Sequence, residues 1–425
     1  MLSSGVRQSK ESLVSAAQPP TMLLVVSNWW PIAARLAINL IAHGCVVAAI
    51  CPPGHPLRYV PGIGRLYTFR RVASRASLEG AIRRVRPDFV IPCDDHSVSQ
   101  LHELHRIHPD LRTLIEHSLG DPRGFDTLES RGKLLKTAQG LGIRVARATT
   151  VTSAAHASEC FSQYGPTALL KIDGTSGGNG VQMVRSGKQA AVAFRRMRAA
   201  LGAATALKRL AINREPQALW CFRRRKQAEV TMQAFVDGTP ANIMVACRKG
   251  EILGEVSVQA VSCQGTMGAA LVVQLIDNKE FSHAAALLAA HLGISGFFGL
   301  DFMVARGNGK AYLIEMNPRC TQLGHLQLPQ GDLAGALCAS LLGRELVKPS
   351  HPISCDRIAF FPQARLWGAK SASGPAVHQD VPWEQQRLVE VLMREPWPER
   401  QWPARIYHLF RRPVPMEAVE FPGDL

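Results

Sequence analysis

"AYLIEMNPRC", residues 311–320, is the stretch whose reading decides the fold of this chain. It opens as an apolar strand and then sets Glu315, Asn317 and Arg319 two residues apart. Side chains two apart along an extended chain point to one face. Leu313, Glu315, Asn317 and Arg319 are therefore expected on one side, and Tyr312, Ile314 and Met316 on the other. A strand apolar enough to be buried thus aims a carboxylate, an amide and a guanidinium in one direction, which asks for a chemical reason.

The preceding residues supply one. "GLDFMVARGNGK", 299–310, reads as a strand followed by a tight turn at "RGNGK", so the two strands form a hairpin. Antiparallel neighbours bring Asp301 beside Glu315 and Asn317. Two unpaired carboxylates side by side repel and are costly to bury. A magnesium ion resolves the conflict, because it takes hard oxygen ligands and shares them with phosphate oxygens. Arg319, one step along, could hold a phosphate or a carboxylate by two-point contact. The competing reading is an internal salt bridge between Arg319 and the acids; Asn317 and Asp301 together weigh toward metal and phosphate.

Upstream, "LLKIDGTSGGNGV", 169–181, ends an apolar strand on Lys171 and continues into Gly174, Gly177, Gly178 and Gly180. Glycines let main-chain N–H groups wrap an anion, and the lysine adds charge. The usual phosphate-loop pattern fails, since no Gly-Lys-Ser/Thr follows. Taken alone the loop reads equally as a flexible hairpin; with a metal site downstream it reads as a flap over ATP phosphates. "TMQAFVDG", 231–238, begins a short apolar linker at Gln233. Ala234 and Val236 could offer backbone to the edge of adenine, Phe235 could pack on the ring, and Asp237 could meet ribose hydroxyls. By itself this stretch reads as a plain interdomain strand. Lys133, in "ESRGKLLK", sits near a helix start, where most lysines are solvated.

The first third of the chain alternates strand and helix patterns. "TMLLVVSN", "CVVAAICP" and "FVIPCDD" read as strands, with "PIAARLAINLIAHG" and "SLEGAIRRVRPD" as helices. That order implies a parallel sheet with crossover helices. The first turn, "SNWWP", lacks the glycines a dinucleotide site needs, so NAD is rejected. Asn28, Asp94 and Asp95 at the strand ends line a cleft or cap helices. From about residue 350 Pro, Trp and Arg accumulate, and the chain reads as an irregular extension packed on the body.

Composition sets outer bounds. The 425 residues are 46% hydrophobic and 19% charged, as in ordinary folded proteins with two or three domains. No long apolar run lacks a charge, so no membrane span is expected. Residues 1–20 are polar and lack the apolar core of a secretory signal. Ten scattered cysteines without paired spacing fit free thiols in a reducing cytoplasm. His96, His102, His105 and His108 cluster, and the reading is a solvated helix face rather than a metal site. The net charge of +16 is spread along the chain and no nucleic-acid-binding motif appears, which argues against a specific nucleic-acid role.

These pieces, in this order, resemble the ATP-grasp superfamily over roughly residues 22 to 345, with carboxylate–amine ligases as the nearest kind. "GLDFMVARGNGKAYLIEMNPR" is the most specific element; "KIDGTSGGNGV" and "QAFVDG" add to it. The resemblance implies an α/β plus α+β architecture. Its segments are a flexible extension (1–20), a parallel α/β pre-ATP-grasp domain (21–125), a glycine-loop lid region with a basic insertion (126–235), a large domain with the Mg/ATP site (236–345) and a C-terminal extension (346–425). It also implies Lys133 and Lys171 as phosphate-contacting lysines beside Gly177 and Gly178. Gln233, Ala234, Phe235 and Val236, followed by Asp237, would form the adenine hinge. Asp301, Glu315 and Asn317 would hold Mg2+ (or Mn2+), and Arg319, with Lys171, would be catalytic. The sequence departs from the family at Gln233, where many members have Glu, and in "DGTPAN", which lacks the usual Glu.

The implied activity is ADP-forming ligation of a carboxylate to an amine through an acyl phosphate, with ATP and magnesium, in a cytoplasmic protein that acts on small molecules and belongs with a family whose members are often homodimers. The alternatives are a carboxylase or carbamoyl-phosphate-type enzyme using bicarbonate, and a catalytically inactive nucleotide- or nucleic-acid-binding protein. Substrate choice is expected to depend on the N-terminal strand ends, on residues 261–268, and on Gln322 and His325.

Overall fold

The computed structural model describes residues 18–70, 73–173, 180–200, 202, 222, 228–265, 268–394 and 418–421. The N-terminal extension, the glycines from 174 to 178, most of the basic stretch at 195–226 and residues 395–417 lie outside the described residues.

Short, uninterrupted apolar runs make strands buried on both faces. β1 (Thr21–Val25), β2 (Val46–Cys51), β3 (Leu66–Thr68) and β4 (Phe89–Pro92) form a parallel sheet in the order β3-β2-β1-β4. Crossover helices α1 (Ile32–Ala42) and α2 (Ser74–Val85), with α3 (Asp95–Ile107) after the last strand, cover it, followed by α4 (Arg112–Leu119) and α5 (Phe125–Leu128). α6 (Arg131–Gly140) leads into a second, antiparallel sheet of β5 (Ala148–Val151), β6 (Ala168–Ile172), β7 (Val181–Val184) and β8 (Val230–Ala234), ordered β5-β8-β6-β7. Its helices α7 (Ala154–Phe161) and α8 (Gly187–Ala200) cover one face, where Ala168, Leu170, Ile172, Val230 and Met232 are buried.

The third sheet holds β9 (Gly238–Arg248), β10 (Glu251–Gln264), β11 (Ala270–Leu275), β12 (Gly296–Ala305) and β13 (Ala311–Asn317). β14 (Arg357–Phe360), β15 (Val377–Asp380) and β16 (Ala418–Glu420) join it, giving eight strands among the described residues. β14 pairs with β11, and β16 pairs with β10. Residues 357–380 thus extend the main sheet, where the sequence reading gave an irregular extension. Its Pro-rich neighbourhood hid two short strands, β14, whose partner β11 lies about 85 residues earlier in the chain, and β15, which pairs parallel with β14.

Strict alternation divides β9 between two cores. Ala241, Ile243, Val245 and Cys247 face α9 (Lys279–Leu292) and α6, while Met244 and Ala246 face α1 and α10 (Leu333–Leu342). The second of these cores is continuous with that of the N-terminal sheet, so Leu36 and Leu40 of α1 share one apolar cluster with Leu333 and Leu337 of α10. Gly335 permits this approach: a Cβ there would lie 2.6 Å from the His43 ring. The consequence for function is that α3 is held in place beside the end of β13.

β13 departs from the expected alternation. Asp301 pairs with Glu315 but Phe302 pairs with Leu313, so Ile314 is an extra residue and the register shifts there. Leu313 and Met316 consequently share the same buried cluster as Phe302. Glu315 and Asn317 lie opposite them, so Leu313 does not share Glu315's face as plain alternation required. Among the described residues, no helix is long and apolar enough to cross a membrane.

Candidate active site

The bulge turns Glu315 toward Asp301, its cross-strand neighbour. Asp301 is also in register with Asn242 of β9, whose amide Nδ2 donates to Asp301 Oδ1. Asn317 Nδ2 donates to Asp301 Oδ2 at 2.9 Å, and Arg319 donates to Asn317 Oδ1 at 2.9 Å. Burial, and then the Glu315 charge, pushes Asp301 up from 3.8 to about 6. The pair of carboxylates is therefore a place where a cation is electrostatically wanted.

Glu315 is held by a residue the sequence reading passed over. Arg131, at the start of α6, reaches Glu315 Oε2 at 2.8 Å and lies 3.9 Å from Asp173. Burial opposes its charge, but Glu315 and then Asp173 outweigh this, and its ionisation is strengthened. Lys133, two positions on, is exposed, and Ser130 Oγ accepts from its backbone N–H. Two residues on a helix are about 200° apart around the axis, so only one of this pair can face the site. A signal existed: the α6 core face is Leu134, Leu135 and Ala138, and Arg131 sits three before Leu134.

Lys171 comes from the second sheet. Leu170 and Ile172 face the helices there, so Lys171 faces away from them. It is 5% exposed, and burial, followed by Arg131, lowers it from 10.5 to about 8, while Glu315 and Asp301 pull it back up. Those couplings bring Lys171, Arg131, Asp301 and Glu315 into one electrostatic neighbourhood. Asp173, just past Lys171, is pushed up to about 6 by burial, against Arg131 and with Glu229 and Glu315.

On β8 the same alternation sets Thr231 and Gln233 on Lys171's face, opposite Val230 and Met232. Gln233 is 1% exposed, and among the described residues neither its Oε1 nor its Nε2 has a hydrogen-bond partner. An orphaned buried amide is expensive unless a ligand completes it. Ala234 spends its N–H on the Arg147 carbonyl at 2.8 Å. Phe235 is exposed, and Asp237 is exposed with Arg306 3.9 Å away. Gly177 and Gly178 lie outside the described residues.

The N-terminal sheet closes the other side. Asp94 caps α3 and accepts from the backbone and hydroxyl of both Ser27 and Ser97, a structural role. Asp95 instead accepts from Arg319 Nε at 2.9 Å. Asn28 accepts from the Trp30 N–H. His325 is buried against Asp380 at 2.8 Å, and His102 is buried, stacked on Phe125 and 2.8 Å from Glu129, so neither lines a solvated face. Among the described residues no three His, Cys, Asp or Glu side chains form a metal cluster. A divalent ion here must therefore combine Asp301 and Glu315 with amide oxygens and the ligand's own. The Asn242 Oδ1, buried and without a partner among the described residues, fits such a donor set; the Asn317 amide turns its nitrogen to Asp301 and would have to flip to add its oxygen.

Residues 214–322 match the family model of the ATP-grasp domain. The chain matches no curated protein. Its structure is similar to carboxyaminoimidazole ribonucleotide synthase from Aspergillus clavatus, solved with ATP, at 15% identity and a TM-score of 0.58, covering 88% of this chain and 98% of that one. It is similar to the biotin carboxylase domain of Hydrogenobacter thermophilus 2-oxoglutarate carboxylase, solved with MgADP and bicarbonate, at 15% identity and a TM-score of 0.57 over 78% and 71% of the two chains. L-amino acid ligase from Bacillus licheniformis shares 13% identity with a TM-score of 0.52 over 76% and 74%. The matched segment and the similarity over most of the chain agree with the three-sheet architecture: this chain carries an ATP-grasp domain and has the ATP-grasp fold.

Proposed function

We propose that the chain is an ADP-forming ligase that activates a carboxylate with ATP and joins it to an amine. The observation that carries this reading is the Asp301–Glu315 pair on β12 and β13, electrostatically coupled to Lys171 on the second sheet. ATP lies between the two sheets. The Gln233 amide and the Val236 N–H meet the adenine edge, since the Ala234 N–H is already engaged. Lys171 and Arg131 contact the phosphates; in this reading Arg131 takes the place first given to Lys133.

Asp301 and Glu315, with the oxygens of Asn317 and Asn242, would hold Mg2+. When bound, the ion would supply positive charge that offsets the negative charge of the phosphates. A carboxylate is a poor electrophile, so phosphoryl transfer to it makes an acyl phosphate with a good leaving group. The amine then attacks the acyl carbon, the bond to phosphate breaks, and Arg319 stabilises the oxyanion that develops. The reading requires that water, which otherwise hydrolyses the intermediate, be kept from the acyl phosphate.

ADP release measured against a matrix of acids and amines tests this. Turnover that requires both an acid and an amine supports it. Bicarbonate-dependent turnover would replace it with the carboxylase reading, a chemistry present among the fold's neighbours. Tight ATP binding with no turnover would leave a nucleotide-binding protein.

A further inference from the structure

Cys45 and Cys338 meet where the N-terminal sheet packs on the main one. Cys45 stands just before β2, Cys338 lies within α10, and 293 positions separate them in the chain. Both are free thiols, and both belong to the apolar cluster that α1 and α10 share. Their Sγ atoms are 2.9 Å apart. A disulfide needs its sulfurs at about 2.05 Å, and sulfurs already in contact are a small side-chain rotation from it.

The two thiols are not equivalent. Cys338 is wholly buried, whereas Cys45 is 6% exposed and sits between the exposed Gly44 and Val46. A small oxidant therefore meets Cys45 first. Arg344 lies at the same turn: its guanidinium donates to the His43 carbonyl at 2.8 Å, two residues before Cys45. The thiolate is the reactive form of cysteine, and a neighbouring donor and cation favour it. The Cys338 hydrogen bond outweighs burial and, with Arg344, holds Cys45 below the ordinary thiol value; the same bond, and then burial, push Cys338 up. The pair is arranged as an attacking thiolate just beneath the surface with a protonated thiol behind it.

We propose that Cys45 and Cys338 are a redox-active pair that a hydroperoxide closes into a disulfide, stapling the N-terminal sheet to α10. The Cys45 thiolate attacks one peroxide oxygen and the O–O bond breaks. Hydroxide leaves, takes up the proton that Cys45 shed and becomes water, and Cys45 is left as a sulfenic acid. The Cys338 sulfur then attacks the Cys45 sulfur, the S–O bond breaks, and a second water leaves with the Cys338 proton. The two sulfurs lose two electrons in all, and the peroxide is reduced to two waters. The link spans 293 positions, so it stabilises chiefly by restricting the unfolded chain. This chemistry stands whether or not the chain is a ligase.

The test exposes the folded full chain to hydrogen peroxide, blocks the remaining thiols in denaturant and maps linked peptides by mass spectrometry without reduction. The expected product joins Cys45 to Cys338, is lighter by two hydrogens than its parts and is lost on treatment with dithiothreitol. The urea midpoint of the oxidised protein should stand roughly 0.5 M above that of the reduced protein. Cys45→Ser and Cys338→Ser should each lose the linked peptide and the rise together. Cys355→Ser, at a half-buried thiol outside the pair, should keep both. In Cys338→Ser, dimedone should capture a sulfenic acid at Cys45; capture only at Cys338, in Cys45→Ser, overturns the order of attack. The wild-type map decides the proposal even where a serine variant fails to fold. Wild-type protein in which Cys45 and Cys338 both stay free, or join other cysteines, overturns it, and a linked pair that leaves the urea midpoint unchanged overturns the staple.

Discussion

Asp301 and Glu315 repel each other across two strands, and a chain keeps such a pair only where something compensates it. In the structure Arg131 compensates Glu315, and two amides compensate Asp301. Glu315→Gln keeps the shape and the Arg131 contact but removes the charge that grips a divalent ion. It should lower ADP formation at least ~100-fold, the scale of losing one preorganised electrostatic contact, while the unfolding midpoint stays within a few degrees. Activity at the wild-type level with unchanged magnesium dependence would remove the metal assignment. Asp301 carries a second expectation. Its folded value, about 6, stands above the ordinary 3.8, so the folded chain holds this proton more tightly than the unfolded one. Its contribution to stability is therefore present below about pH 4 and lost as pH rises through about 6. A divalent ion binds the ionised form and reverses that loss. Stabilisation of the fold by MgADP in a thermal melt should thus be larger at about pH 7.5 than at about pH 5, and Asp301→Asn should flatten the difference. The chemistry of these residues was legible from their spacing. Arg131 becomes legible only once the apolar spacing of Leu134, Leu135 and Ala138 is used to find the buried face of α6; the resemblance by itself points to Lys133.

The elements supply what spacing cannot. Counting by twos along 311–319 put Leu313 with Glu315, and one extra residue in β13 separates them. Bulges are set by both strands together, so the alternation of either strand alone is silent on them. The hairpin, its turn and the facing of Asp301 to Glu315 were readable because they depend only on local turn chemistry and pairing. The second sheet shows the same division. That β8 is a strand followed from its pattern; that Gln233 turns a buried amide, unpartnered among the described residues, toward Lys171's side required the sheet. This gives a prediction at the scale of the strand. Gln233→Met keeps the volume and removes two unsatisfied polar atoms. The ligand-free protein should gain about 1 kcal/mol in denaturant unfolding, while ATP affinity by calorimetry falls about 10-fold. A loss of stability with unchanged ATP affinity would show that the amide is completed within the protein and not by the nucleotide.

Across the whole molecule, three sheets converge on one place, and the C-terminal segment is part of what holds them there. Asp380, at the end of β15, is 3% exposed and binds Arg35 of α1 at 2.7 Å on one oxygen and His325 at 2.8 Å on the other. It thereby ties the N-terminal sheet, the last strands and the segment that follows Arg319, whose backbone is also gripped where Asn39 donates to the His325 carbonyl at 2.8 Å. None of these partners is near another in sequence, which is why residues 357–380 read from the sequence only as irregular chain packed on the body and not as strands of the main sheet. Burial alone would raise Asp380, but Arg35 and then His325 outweigh it and hold the carboxyl below its ordinary value. A depressed folded value means that the ionised form stabilises the fold at neutral pH, and that this contribution is lost as pH falls below the ordinary carboxylate range through the folded value. Asp380→Ala leaves the half-buried Arg35 with only the backbone carbonyl of residue 380 and strips the buried His325 of its carboxylate. It should cost about 3–5 kcal/mol, read as a shift in urea midpoint at neutral pH. The deficit should shrink in acid, where the wild-type carboxylate is itself protonated. Because His325 lies six residues after Arg319 in the same loop, the variant should also raise KM for the acid more than KM for ATP. An unchanged urea midpoint would mean that the C-terminal strands are held by their ladders alone, and that the ion pair contributes nothing to keeping α3 and Arg319 together.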